Sequence, residues 1–110
     1  MEKSLLVKFL GDNPIFKIVD FLIENKGTDV TKKQIIEETG ISRASLFKVW
    51  PQLEQQEIVL ATRKFGKTTL YTLNSKNPLV KKILELESVL IEKALDIKNK
   101  NRLIEVAAEQ

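Results

Sequence analysis

The stretch Thr31–Leu73, TKKQIIEETGISRASLFKVWPQLEQQEIVLATRKFGKTTLYTL, decides the fold. Thr31 opens T-x-x-Q, the spacing at which a threonine side chain and Gln34 can each accept the other's backbone N–H. Ile35 and Ile36 are the apolar anchors of a helix that ends near Thr39, and Gly40 supplies the turn. Ile41 reads as an inward staple before Ser42, the next N-cap. The helix that follows, 42–56, carries Leu46, Val49, Trp50 and Leu53 at spacings of three and four. Arg43, Ala44, Phe47 and Lys48 fall on its other side, with Ser45 beside them near the N-terminus. Two short helices separated by T-G-I-S match the helix-turn-helix pattern. Pro51 lies well inside the second helix, where it removes a hydrogen bond and crowds the carbonyl of Phe47. It predicts a kink or a tightened turn near Trp50, with helical form resuming to about Gln56. Residues 58–63 and 68–73 are strand-like, and 64–67 (Lys64, Phe65, Gly66, Lys67) is a glycine-bearing hairpin tip.

Working outward, Asn13-Pro14 is a helix start, with Asn13 as N-cap and Pro14 in the first turn. Ile15, Ile18, Val19, Leu22 and Ile23 recur at helical spacing, and Lys26-Gly27 is a stop. Thr28, Asp29 and Val30 form a short connection or a minimal strand. Residues 1–11 carry Leu5, Leu6, Val7, Phe9 and Leu10, a patch too short to fix as helix or strand. Asn77-Pro78 repeats the earlier start. A long helix follows with a broad apolar face that includes Leu79, Ile83, Leu86, Leu90, Ile91, Ala94 and Ile97. Residues 98–102 are expected to interrupt it before a last amphipathic segment with Leu103, Ile104, Val106 and Ala107. The fold class is mainly α with a small β-hairpin, a winged helix-turn-helix plus a long C-terminal dimerisation helix. Residues 1–76 are the winged-helix domain, with an N-terminal arm at 1–12, and 77–110 are the helical dimerisation segment.

Composition narrows the chemistry. There is no cysteine and no histidine among the 110 residues. Thiolate and imidazole metal sites, cysteine nucleophiles and histidine acid–base catalysis are therefore absent. Glu37-Glu38 and Glu54 with Glu57 read as solvated helix faces, so no catalytic constellation is visible and the chain is not expected to be an enzyme. No cofactor or metal is expected. No apolar run is long enough to span a bilayer, the first residues lack a cleavage signature, and a cytoplasmic protein without a membrane partner is expected. The net charge is +3, and residues 26–67 hold eight bases against five acids, so the whole excess sits in the central stretch.

That distribution points to duplex DNA. The helix 42–56 is the candidate recognition helix, because a major groove about 12 Å wide admits one helix read by side chains near its N-terminal end. Arg43 can reach a guanine or a phosphate, Lys48 a phosphate and Ser45 either. Phe47, if exposed, can meet a thymine methyl group. Ser42 and Ala44 complete the face at the helix start, whose free N–H groups favour a phosphate. Lys32 and Lys33 open the preceding helix, which crosses the DNA backbone in such motifs. Arg63, Lys64 and Lys67 flank the hairpin tip of the wing 58–73, suited to the backbone or a minor groove. Trp50 reads as core, being in register with Leu46 and Leu53; Tyr71 is open between wing core and phosphate contact.

The T-x-x-Q-I start, the E-x-T-G-I-S-R turn, Leu46 and Leu53, the Ile58-Val59 opening and the R-K-F-G-K-T-T-L-Y wing together resemble the DNA-binding domain of small archaeal winged-helix transcription regulators of the broad MarR/ArsR-like type. The resemblance covers about residues 13–80. It implies a dimeric regulator whose second helix, recognition helix and wing face DNA. The chain departs from the pattern at Glu57, where many winged helices have glycine, and at Pro51. The partners expected are double-stranded DNA and a second copy of the chain, with any small-molecule effector unknown. The alternative is a winged-helix protein–protein interaction module of a transcription or replication assembly, since the fold serves both uses.

Overall fold

A computed structural model describes residues 4–108, with side chains described through residue 100. The elements in order are α1 (Leu5–Leu10), α2 (Pro14–Glu24), α3 (Lys32–Thr39), α4 (Arg43–Gln55), β1 (Val59–Phe65), β2 (Thr68–Leu73) and α5 (Pro78–Ala108). This is the expected architecture: mainly helical, one antiparallel hairpin and a long C-terminal helix.

Side-chain caps start most of the helices. Ser4 and Asn13 accept the backbone N–H three residues on, at 3.1 and 3.0 Å, and so fix the starts of α1 and α2. Thr31 and Gln34 form the reciprocal capping box of α3, at 2.8 and 3.1 Å. Gly40 ends that helix in the left-handed region, at φ 75°, a conformation that a Cβ disfavours. Asn77 caps α5 by accepting from the Leu79 N–H at 2.8 Å. It also donates to the carbonyls of Gln56 and Glu57 at 2.7 and 2.8 Å, tying the start of α5 to the end of α4.

The core gathers Ile18, Val19 and Leu22 of α2, Ile35 of α3, Leu46, Trp50 and Leu53 of α4, and Val59, Leu73 and Val80 from the wing base and α5. Ile41 is buried as expected. α1 lays Leu6 and Val7 inward, so the N-terminal patch is helical and packs against α2 and α5.

Two expectations are corrected. Of the kink or tightened turn expected at Pro51, the tightened turn does not form: α4 is continuous α-helix from Arg43 to Gln55 with Pro51 inside it. A proline in a helix interior costs about 3 kcal/mol. Leu46, Trp50 and Leu53, each at most 2% exposed, lie on either side of it. At roughly 1.5–3 kcal/mol for each buried side chain, their burial outweighs the proline. Second, residues 98–102 do not interrupt the last helix, since α5 is continuous for 31 residues. The side chains of Leu103, Ile104, Val106 and Ala107 lie outside the described ones.

Glu57 stands at φ 57°, the only described residue other than glycine with positive φ. This is the position where many winged helices have glycine, and the structure gives the reason: the chain turns left-handed between α4 and β1.

The hairpin is tighter than its sequence implies. Lys64 and Phe65 belong to β1, paired with Thr69 and Thr68, so the loop is Gly66-Lys67 alone. Gly66 at φ 58° takes the first loop position of a primed turn. Val30 adds a single bridge to Tyr71, with both N–H···O bonds at 2.8 Å, the minimal strand expected of residues 28–30.

Candidate nucleic-acid interface

The outer face of α4 is exposed at Arg43, Ala44, Phe47 and Lys48. Ser42 caps the helix by accepting from the Ser45 N–H at 3.0 Å, and its hydroxyl donates to the Ser45 hydroxyl at 2.9 Å. The two serines thus form one local unit at the helix start, with Ser45 half-buried. The Arg43 guanidinium lies 5.2 Å from the Phe47 ring centroid, and Phe47 is 47% exposed. Phe47 therefore supports an exposed cation instead of filling the core. Lys33, Lys48, Lys64 and Lys67 are exposed, and neither they nor Arg43 form an ion pair with a described residue.

Arg63 differs from the other cations. Its Nε donates to Asp29 Oδ2 at 2.7 Å and its Nη2 to Asp29 Oδ1 at 3.0 Å. The Thr62 hydroxyl donates to Asp29 Oδ2 at 2.6 Å. Adjacent strand residues ordinarily point to opposite faces. Here the register shifts between Ala61 and Arg63, and this bulge brings Thr62 and Arg63 to the same carboxylate. The guanidinium also lies 5.2 Å from the ring of Phe65, which is 62% exposed beside the hairpin tip. Arg63 thus braces the wing to the α2–α3 connection, and its charge is matched within the chain.

The hydrogen bonds from Arg63, then Thr62, hold the Asp29 carboxyl below its ordinary value of 3.8. A carboxylate with a depressed folded pKa stabilises the fold above its ordinary value and loses that contribution as pH falls through the depressed one. Asp29→Asn is therefore expected to loosen the wing selectively. Amide exchange should quicken across residues 60–72 while α2 and α4 keep their protection. In the unsubstituted chain the same change should appear only once the pH is below 3.8. Equal protection of the wing in both chains at neutral pH would remove the brace.

Glu87 of α5 behaves oppositely. Burial first, then the charges of Asp20 and Glu24 on α2, push its carboxyl above the usual carboxylate range. Its ionised form is disfavoured beside those two carboxylates at neutral pH, a penalty relieved as pH falls through the raised value.

Lys32, the first residue of α3, is half-buried, and its ammonium faces three aromatic rings: Phe47, Trp50 and Tyr71. Trp50 is core, as its register implied, and meets Tyr71 edge-on with centroids 4.9 Å apart. Tyr71 belongs to the wing's packed face.

The structure thus brings Ser42, Arg43, Ala44, Ser45, Phe47 and Lys48 together on one helix end and sets Lys64 and Lys67 on the wing. It diverts Arg63 and Lys32 into contacts within the chain. Sequence reading missed Asp29 and the aromatic platform. A carboxylate preceding the capping box was the available signal for Asp29, but nothing local tied it to a strand more than thirty residues away.

On α5, Leu79, Ile91, Ala94 and Ile97 are exposed, together with Val89 and Leu95. Leu86 and Leu90 are half-buried, and Ile83 packs on the chain's own core. All of residues 91–100 are exposed, so this part of the helix stands clear of the body. No described helix is long and apolar enough to cross a membrane.

No protein-family model matches the chain, and no curated protein matches it. Solved structures do. An apo form of Lactococcus lactis ZitR superposes with a TM-score of 0.61 at 21% identity, over 84% of this chain and 74% of that one. The PcaV transcriptional regulator from Streptomyces coelicolor gives 0.56 at 16%, over 94% and 84%. The transcriptional repressor CouR, bound to a 23-mer DNA duplex, gives 0.56 at 19%, over 94% and 77%. ZitR is described as a zinc-responsive MarR family member. The element order, the hairpin after α4 and these superpositions together assign the chain the winged-helix fold that such regulators share.

Proposed function

We propose that the chain is a sequence-specific, double-stranded DNA-binding transcription regulator of the MarR-like winged-helix type, acting as a homodimer. The observation that carries this reading is the uncompensated basic face: Arg43 and Lys48 on the outer side of α4, Lys33 on α3, and Lys64 and Lys67 on the wing. Arg43 and Ala44 occupy the first turn of α4, the part of a recognition helix that reaches base edges. Ser42 and the free N–H groups of that turn receive a phosphate. Phe47 stacks beneath Arg43 and offers its ring edge to thymine methyl groups. Lys64 and Lys67 follow the phosphate backbone or enter a minor groove. ZitR and CouR, with the same fold, have each been solved with DNA.

The dimer reading rests on α5. Leu79, Ile91, Ala94 and Ile97, with Leu86 and Leu90 behind them, form an apolar face on a helix that projects from the body. Pairing two copies through residues 77–110, aided by Phe9 of α1, would set two recognition helices about 34 Å apart and call for a near-palindromic site. Ile83, half-buried against the chain's own core, adds the part of its side chain left exposed.

A second reading has one observation in its favour: Leu60 and Phe65 leave apolar surface exposed on the wing, as a protein-docking module would. Selection of bound sequences from a random duplex pool separates the two. The regulator should enrich a palindromic motif with salt-sensitive affinity. A monomeric chain that enriches nothing belongs to the docking reading.

A further inference from the structure

The Lys32 ammonium stands 5.3 Å from the Phe47 ring centroid, 5.1 Å from that of Trp50 and 5.5 Å from that of Tyr71. Each distance is within the roughly 6 Å at which a ring face attracts a cation. The rings come from α4 and β2, and Lys32 itself begins α3. A single charge therefore touches all three parts of the candidate interface. No ion pair with a described residue competes for it.

Two further observations give this contact weight. Trp50 and Tyr71 meet edge-on at 74°, so neither ring can turn without moving the other. The buried Trp50 Nε1 has no hydrogen-bond acceptor among the described residues, so no polar side chain or carbonyl there orients the indole. Packing and the Lys32 cation are what remain to fix its angle. Lys33, one residue on, is exposed and meets no ring, which leaves it free for a phosphate.

We infer that Lys32 is a positioning residue: its ammonium clamps the recognition helix and the wing to α3 and sets the angle at which they meet DNA. The inference rests on the DNA-binding reading above.

Lys32→Met keeps the apolar stem and removes the charge. Trp50 is the only tryptophan, so its emission reports on the cage in the free protein. With the helical content checked by circular dichroism, the variant should shift that emission. It should also weaken binding to a duplex of the selected sequence about tenfold, equivalent to ~1.4 kcal/mol. The slope of log affinity against log salt should not change. Lys32→Arg, which also stacks on aromatic faces, should restore both emission and affinity. If Lys32→Met leaves the emission alone and lowers the salt slope by about 0.9 per protomer, Lys32 is a phosphate contact and the clamp is overturned. Unchanged affinity together with unchanged emission overturns it as well. Should the unsubstituted chain bind no duplex, the DNA reading fails separately. The clamp then stands or falls on the emission and melting temperature of Lys32→Met alone.

Discussion

Trp50→Ala is expected to destabilise the chain by about 3–5 kcal/mol, the usual cost of emptying a buried aromatic site. Trp50 is 2% exposed at the meeting point of α4, the wing and α3, so the cavity would open under the whole candidate interface. Against a net stability of about 5–15 kcal/mol for an ordinary domain, such a loss lowers the melting temperature steeply. Thermal melts followed by circular dichroism measure it. Trp50→Phe should behave differently. It loses volume, but it also removes an N–H buried without an acceptor among the described residues, a group that costs about 1–3 kcal/mol to leave unsatisfied. The phenylalanine chain should therefore melt within about 1.5 kcal/mol of the unsubstituted one. A phenylalanine variant as unstable as the alanine variant would show that the indole nitrogen is bonded in solution.

The second large effect is on the proposed binding to DNA. Arg43→Ala should weaken binding to the selected duplex by ten- to a hundredfold, from the roughly 1–3 kcal/mol carried by a good arginine–base contact. The loss should fall on one base pair in each half-site, with other positions read as before. Lys64→Ala and Lys67→Ala should act differently, weakening all duplexes evenly and lowering the salt slope by about one for each phosphate left without its lysine. The contrast follows from placement: Arg43 starts the helix that would enter the groove, whereas Lys67 lies in the two-residue loop and Lys64 just before it in β1. Titrations at several salt concentrations, with matched and mismatched duplexes, distinguish the two patterns. Wild-type affinity in all three variants would sink the contact scheme.

What could be read from the sequence was what is local. The capping box of Thr31 and Gln34, the Asn-Pro starts and the spacing of Leu46, Trp50 and Leu53 each involve residues a turn or two apart. The structure has them as read. The departures from that reading have separate causes. Pro51 predicts a disturbed helix from local energetics, yet the burial of residues around it keeps the helix continuous. Residues 98–102 lack an apolar stripe, but lysine and arginine are good helix formers and the run continues an established helix. Arg63 and Lys32 looked like free cations because Asp29 and the aromatic rings reach them only through the fold. The outer face of α4 was legible because its apolar side was: once Leu46, Trp50 and Leu53 point inward, Arg43 and Lys48 must point out.

The hydrogen bonds that close the base of the hairpin have a consequence for how such a chain can change. The Asn74 N–H donates to the Ile58 carbonyl at 2.9 Å, and the Asn74 and Asn77 side-chain amides fasten to the carbonyls of Gln56 and Glu57. Everything from Val59 to Leu73 is therefore an excursion whose two ends are already joined. Doubling the length of a flexible loop costs only about 0.6 kcal/mol in closure entropy. Residues inserted at Gly66-Lys67 would extend the reach of the wing while α4 and α5 keep their relation through the clasp beneath. The hairpin is thus an exchangeable cassette: its length and charge can be altered by design without disturbing the junction of α4 and α5.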